Sequence, residues 1–353
     1  MKIIHTSDLH LDSPLTTRLD SAKVRERKSE LLLSFRKIAE KAKSDGVEAF
    51  IIAGDLFDSE KVGKRTIKNL IDIINSCPDV TFFYLSGNHE KKVLSDAGLK
   101  IPENLKLFGD EWTYFTLGNV NFIGRCLTSP DMFSEIRLNE NETNVIVLHG
   151  ELRDHSDFGG VIGKKDAAEL KVDYIALGHY HFYSEERIND RCVAVYSGTP
   201  EGRGFDEAGA CGYVSLNAEG RFLSHKFIES AKRKLQITDV DVTGAGSDIS
   251  LLYRIEDSVK GISRGDLVRI RLIGERELGH GFDTRALLSS LSNSFYYVEI
   301  KDETRLKIRA EDFKNDLSLK GEFIRGILED SELSDKEKEA VINLGLEILM
   351  KEV

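Results

Sequence analysis

Residues 49–58 read Ala49-Phe50-Ile51-Ile52-Ala53-Gly54-Asp55-Leu56-Phe57-Asp58, five apolar residues that stop at a glycine and a carboxylate. An unbroken run of that length, rich in Ile and Phe, is the pattern of a strand covered on both faces. The same grammar recurs on either side. Ile3-Ile4-His5-Thr6 runs into Ser7-Asp8-Leu9-His10, and Thr81-Phe82-Phe83-Tyr84-Leu85 into Ser86-Gly87-Asn88-His89. Val145-Ile146-Val147-Leu148 ends in His149-Gly150, and Tyr174-Ile175-Ala176-Leu177 in Gly178-His179-Tyr180-His181. Between the first two runs, Leu31, Phe35, Ile38 and Ala42 fall at helical spacing, with Gly46 as the stop. A second helix is predicted over Lys64–Asn75. Strand-helix-strand alternation argues for an α/β sandwich around a largely parallel sheet, whose function gathers in the loops after the carboxyl ends of the strands.

Those loops hold the polar residues. Asp8 and His10 stand two apart at a strand end and can leave the chain on the same side, as can His179 and His181. Asp55 follows a glycine that lets the backbone turn, and a carboxylate can give one oxygen to each of two cations. Asn88 adds an amide oxygen and His149 a further imidazole. Mixed nitrogen and oxygen donors suit manganese, iron or zinc better than magnesium or calcium. Two such ions about 4 Å apart polarise a phosphate and generate hydroxide from water. A lone Asp-x-His occurs by chance, and a lone Gly-Asp marks a turn. Five polar clusters in order, each closing an apolar run, are a different matter.

Asp8-Leu9-His10, Gly54 to Asp58, Gly87-Asn88-His89-Glu90, His149-Gly150 and Gly178-His179-Tyr180-His181 together resemble the signature of calcineurin-like metallophosphoesterases over roughly the first 200 residues. The resemblance implies a first metal on Asp8, His10, Asp55 and His181, and a second on Asp55, Asn88, His149 and His179. It implies that His89 serves the chemistry and is not a ligand. The stretch His5 to Pro14 and the segment Tyr196-Ser197-Gly198-Thr199-Pro200-Glu201-Gly202-Arg203 with Glu207 are similar to the DNA-repair exonucleases of the SbcD type. Some members carry histidine where this chain has Asp58, so a phosphate contact there does not transfer automatically. Asp58 and Arg203 are the candidate substrate contacts. Arg203 reads equally as part of a plain turn.

The rest of the chain bounds these expectations. At 353 residues two domains are the natural prior. The reading divides the chain into a phosphoesterase domain over 1–230, a small α+β capping domain over 231–312, and C-terminal helices over 313–353. Ser334 with Glu337 forms a capping-box signature there. Cys77, Cys126, Cys192 and Cys211 make no Cys-x-x-Cys pair and read as free thiols. No apolar run approaches the roughly 20 residues of a membrane helix, and no export segment precedes Ile3; a cytoplasmic protein is expected. The net charge of −11 does not suggest a protein that coats polyanions electrostatically. Lys91-Lys92 and Lys164-Lys165 read as solvated lysines or as DNA-backbone contacts. His5 reads as structural, while His155, His225 and His280 lack company.

The expectation is a manganese-dependent DNA exonuclease or endonuclease. Its family implies a homodimer, pairing through Lys64–Asn75 and residues 91–99, and an SMC-like (SbcC-type) ATPase partner. The alternatives are a phosphodiesterase or pyrophosphatase on a small nucleotide or lipid precursor, and a scaffold subunit of an ATPase complex.

Overall fold

The computed structural model describes residues 1–15, 17–87, 90, 93–126, 128–129, 132–155, 159–220, 222–277, 281–307 and 313–351. The runs quoted above are strands. β1 (Lys2–Thr6), β2 (Ala49–Ala53), β3 (Thr81–Leu85) and β4 (Leu105–Leu107) pair in parallel. An antiparallel hairpin, β13 (Gly212–Glu219) and β14 (Phe222–Glu229), is added beside β1, giving the order β14-β13-β1-β2-β3-β4. A second six-stranded sheet contains β5 (Thr113–Leu117), β6 (Val120–Gly124), β7 (Thr143–His149), β10 (Tyr174–Gly178), β11 (Ser184–Arg187) and β12 (Val193–Tyr196). Its order is β11-β12-β10-β7-β6-β5, parallel in the middle and antiparallel at both edges. Among the described residues, the runs quoted above are shared between two mixed sheets and do not form one largely parallel sheet. A short parallel pair, β8 (Glu151–Arg153) and β9 (Val161–Gly163), follows β7.

Alternation along each strand explains the layers. In β2, Phe50 and Ile52 pack outward with Phe35, Ile38, Leu70 and Ile74 of the helices α1 (Ser21–Ser44) and α2 (Lys64–Asn75). Ala49, Ile51 and Ala53 point the other way, into a core shared with Phe122, Val145, Val147, Tyr174 and Ala176 of the second sheet. Phe83 and Phe122 stack across that gap with ring centroids 4.2 Å apart. The outer face of the second sheet buries Ile146, Leu148, Ile175 and Leu177 against Met132, Phe133 and Ala167, the last of these on the short helix α4 (Lys164–Ala168). Each fully buried side chain of this size contributes about 1.5–3 kcal/mol. Capping sets the helix ends. Asp20 accepts from the Ala22 and Lys23 amides to start α1, and Gly46 at φ +65° follows its end.

By contacts the chain separates into two compact units, Met1–Leu235 and Gln236–Val353. The second carries a three-stranded sheet, β15 (Leu235–Asp241), β16 (Leu267–Ile273) and β18 (Tyr297–Asp302), with β16 and β18 parallel. The helices α5 (Asp248–Ser258) and α6 (Thr284–Leu291) bury Leu251, Ile255, Leu287 and Leu291 on it. The minor strands β17 (Glu275–Arg276) and β19 (Arg305–Leu306) pair beside it. The last two helices, α7 (Leu319–Glu329) and α8 (Asp335–Lys351), form a separate small core: Ile324, Ile342 and Leu346 with Leu306 and Phe313. Ser334 and Glu337 make the expected reciprocal cap, the Ser334 amide donating to Glu337 at 2.9 Å. The described helix Val93–Asp96 (α3) is a single turn.

Candidate metal centre

The loops after β1, β2, β7 and β10 converge. Those after β1 and β2 are laced together: the Asp8 amide donates to the Gly54 carbonyl at 3.0 Å, His10 to Asp55 at 2.9 Å and Leu11 to Leu56 at 2.9 Å. Among the described residues the non-glycine positions with positive φ are Asp8 (52°), His10 (44°), Asp12 (73°), Asp55 (48°) and His179 (113°). Four of these five are residues the sequence singles out for a metal. Left-handed backbone at such residues costs of order 1–3 kcal/mol each and persists where the surroundings over-determine it, typically at functional sites. Two glycines make the close approach possible. A Cβ on Gly54, itself at φ +90°, would strike the His149 ring, and one on Gly87 would strike the Asp55 carboxylate.

Asp8, His10 and His181 bring donor atoms within 4.8 Å of one another, and so do Asp8, Asp55 and His149. Asp8 is common to both groups. Asp55 Oδ2 lies 3.8 Å from His10 Nε2 and 3.4 Å from His149 Nε2, near both imidazoles. The Nε2 atoms of His10 and His181 face each other at 3.2 Å. His181 Nε2 is 4.0 Å from Asp8 Oδ1. His179 presents its backbone N–H to both Asp8 oxygens at 3.1 Å, and its ring meets His149 edge-on with centroids 5.5 Å apart. Asn88 and His89 lie outside the described residues, as do Lys91, Lys92 and His280.

Burial and neighbouring charge shift the groups of the site in different directions. Burial pushes the Asp8 carboxyl up to about 6 against the pull of His149 and Ser7. Burial alone would lower His149, yet its hydrogen bond to the Asp55 carboxylate and the charges of Asp8 and Asp55 raise it to about 9. Burial also drives His10 down, helped by the Arg203 charge. The donor set fits divalent cations. Two donors each ~2.1 Å from one ion stand roughly 3.0–3.4 Å apart in octahedral or tetrahedral geometry, the spacing found between the His10 and His181 nitrogens. The His149 Nδ1 atom is held by the Ala53 carbonyl at 3.0 Å, which leaves its Nε2 for the site.

The two candidate substrate contacts are occupied within the protein. Arg203 donates to Glu207 through Nε at 2.9 Å, and to Asp58 at 2.9 Å. Asp58 Oδ1 is 3.2 Å from His10 Nδ1. Lys164 pairs with Asp154 at 2.9 Å and Glu186 at 2.7 Å, and Lys165 lies 3.0 Å from His155. His225 pairs with Glu185 at 2.7 Å. His5 is fully buried and shares a 3.0 Å hydrogen bond with the Tyr174 hydroxyl. Among the cysteines Cys77, Cys192 and Cys211 are buried and Cys126 is half-buried, all as free thiols.

Two buried carboxylates have roles that their positions in the chain did not announce. Glu90 accepts from the Leu56 amide at 2.7 Å, the Gly87 amide at 3.3 Å and the Phe57 amide, tying the loop after β3 to that after β2. Glu207 accepts from His181 Nδ1 at 2.7 Å. Burial would raise Glu207, but the His181 and Arg203 donors hold it at about 2. The spacing of Arg203 and Glu207, four apart, was the available signal.

The family model described as calcineurin-like phosphoesterase matches residues 1–183, over half of the chain. The metallophosphoesterase YhaO of Bacillus subtilis is 24% identical over 292 residues, 77% of this chain and 71% of that protein. The DNA double-strand break repair protein Mre11 of Methanosarcina acetivorans is 26% identical over 257 residues, 65% of this chain but 39% of that longer protein. The SbcD component of the nuclease SbcCD from Staphylococcus saprophyticus is 26% identical over 267 residues, 65% of this chain and 68% of that protein.

Proposed function

The chain belongs to the calcineurin-like phosphoesterase family, and we propose that within it this protein is a two-metal, manganese-dependent DNA nuclease. The approach of Asp55 Oδ2 to both His10 Nε2, at 3.8 Å, and His149 Nε2, at 3.4 Å, supports the two-metal part. A carboxylate so placed can face two cations at once. In this reading Asp8, His10, Asp55 and His181 hold one ion, and Asp55, Asn88, His149 and His179 the other. The bound ions supply Lewis acidity and a hydroxide nucleophile at neutral pH. The chain's own residues do the rest. Asp8 accepts from the His179 amide and so ties down the loop after β10, and the strained loops keep these groups fixed before substrate arrives. His89, as imidazolium, protonates the departing oxygen or steadies the phosphoryl charge.

Similarity to a DNA-break repair protein and to a nuclease component, at an identity of 26% and reaching past residue 183, supports DNA as the substrate. The net charge of −11 works against tight DNA binding by this chain alone. An SMC-like ATPase partner supplies the missing DNA-binding surface, and the protein works as a homodimer in the cytoplasm. No helix among the described residues is long and apolar enough to cross a membrane. The same charge favours the second reading, a phosphodiesterase on a small nucleotide, because a small substrate needs no extended basic groove.

Assays with Mn²⁺ on single- and double-stranded DNA, with and without the ATPase and ATP, separate the two. Cutting of DNA, stimulated by the partner, is expected. Ready hydrolysis of nucleotides with no cutting of DNA under any partner condition would establish the small-substrate reading instead.

A further inference from the structure

Behind the site lies a closed chain of polar contacts. From His10 Nδ1 it runs 3.2 Å to Asp58 Oδ1, then 2.9 Å to Arg203 Nη1. The guanidinium donates through Nη2 at 2.5 Å to Glu207 Oε1, which is 2.7 Å from His181 Nδ1. The circuit closes across the front, where the Nε2 atoms of His10 and His181 stand 3.2 Å apart. The Arg203 amide donates to the other Glu207 oxygen at 2.6 Å, so the carboxylate cannot swing. Glu207 is 1% exposed. The loop itself is anchored: Arg27 of α1, also 1% exposed, donates to Glu201 at 2.8 Å and to the Gly202 carbonyl at 2.6 Å.

The imidazoles follow one rule. His149 turns Nδ1 back to a backbone carbonyl and His181 to Glu207, while His10 has the Asp58 carboxylate 3.2 Å from its Nδ1, and all three present Nε2 to the site. Which ring nitrogen carries the proton is set by the acceptor behind it, and a carboxylate there also raises the basicity of the nitrogen in front. Two carboxylates this close would repel each other and could themselves compete for a cation. Arg203 donates to both and offsets part of that repulsion.

We propose that Asp58, Arg203 and Glu207 are a positioning brace for the metal centre, acting through His10 and His181 and not on the substrate. This inference rests on the two-metal reading above. It makes Arg203 a residue whose loss is felt in metal affinity and kcat, whereas a phosphate-binding arginine is felt in KM.

The test uses full-length protein stripped of metal and titrated with Mn²⁺ against a competing chelator, followed by kinetics on bis-p-nitrophenyl phosphate at saturating metal. Glu207→Gln and Arg203→Met are expected to weaken metal binding by roughly 10–100-fold. They should leave KM at saturating metal near the wild-type value, and Arg203→Lys, which keeps the charge, should recover part of the affinity. Asp58→Asn, at a half-buried position, supplies a variant that folds if Glu207→Gln does not. Wild-type affinity in all variants, or a raised KM with unchanged affinity for Arg203→Met, overturns the brace. A wild-type protein that binds no pair of ions overturns the two-metal reading itself, and the brace with it.

Discussion

At the scale of single residues the chemistry and the support differ in how openly they are written. Asp8, His10, Asp55, His149, His179 and His181 each close an apolar run, and each lies at or just beyond a strand end. They were legible because strand and loop alternate in order along the chain. Glu207 was not, because its value comes from a 2.7 Å contact with His181 that spans 26 positions and appears only once the loop has folded back. The proposed role of His89 separates metal binding from chemistry. His89→Ala should retain both ions and lose roughly 10²–10⁴-fold in turnover, the worth of one general acid-base group. Loss of an ion from that variant makes His89 a ligand and removes the role assigned to it. His5 gives a pH prediction. Burial lowers it from its usual value of 6.5 to about 3. Above the usual value neither state is charged; below it the unfolded chain binds a proton that the native state refuses, so stability falls. From about pH 7.5 to about pH 5 the metal-free protein should lose about 2 kcal/mol more than His5→Gln in urea unfolding. Equal losses would mean that His5 charges freely in the native state.

At the scale of elements, the helices and the buried strands were readable and the sheet count was not. Strands covered on both faces read as continuous apolar runs whichever sheet they join, so sequence alone cannot say that β2 and β7 face each other across a core. The antiparallel edges escaped for a different reason. In β14, Leu223 and Phe227 are only half-buried, and the apolar signal alternates instead of running on. The C-terminal helix α8 has two apolar faces. Ile342 and Leu346 are 1% and 0% exposed, whereas Val341, Leu344 and Ile348 are 37%, 62% and 54% exposed. The inner pair belongs to the core, so Ile342→Ala should destabilise the small C-terminal core by about 2–5 kcal/mol. In the proposed complex with an ATPase, we assign the docking surface to the outer three. Changing Val341, Leu344 and Ile348 together to serine should leave the helix folded and bis-p-nitrophenyl phosphate hydrolysis intact while abolishing co-purification with the partner. Undiminished co-purification would rule the stripe out.

At the scale of the whole molecule, the acidic charge and the metal centre pull in opposite directions. A chain at −11 repels the polyanion proposed as its substrate, so that substrate must be attracted locally or by a partner. A homodimer would bring two such centres together, and light scattering at tens of micromolar should give twice the chain's 39.7 kDa; the monomer mass would remove that expectation. What the account stands or falls on is the pair of ions held through Asp55. The direct measurement is elemental analysis of full-length wild-type and Asp55→Ala protein after loading with Mn²⁺ and desalting. The wild type should retain two ions per chain, and Asp55→Ala should stay folded but fail to keep the pair. An Asp55→Ala protein with the normal metal count, or a wild type that never holds more than one ion, would contradict the account.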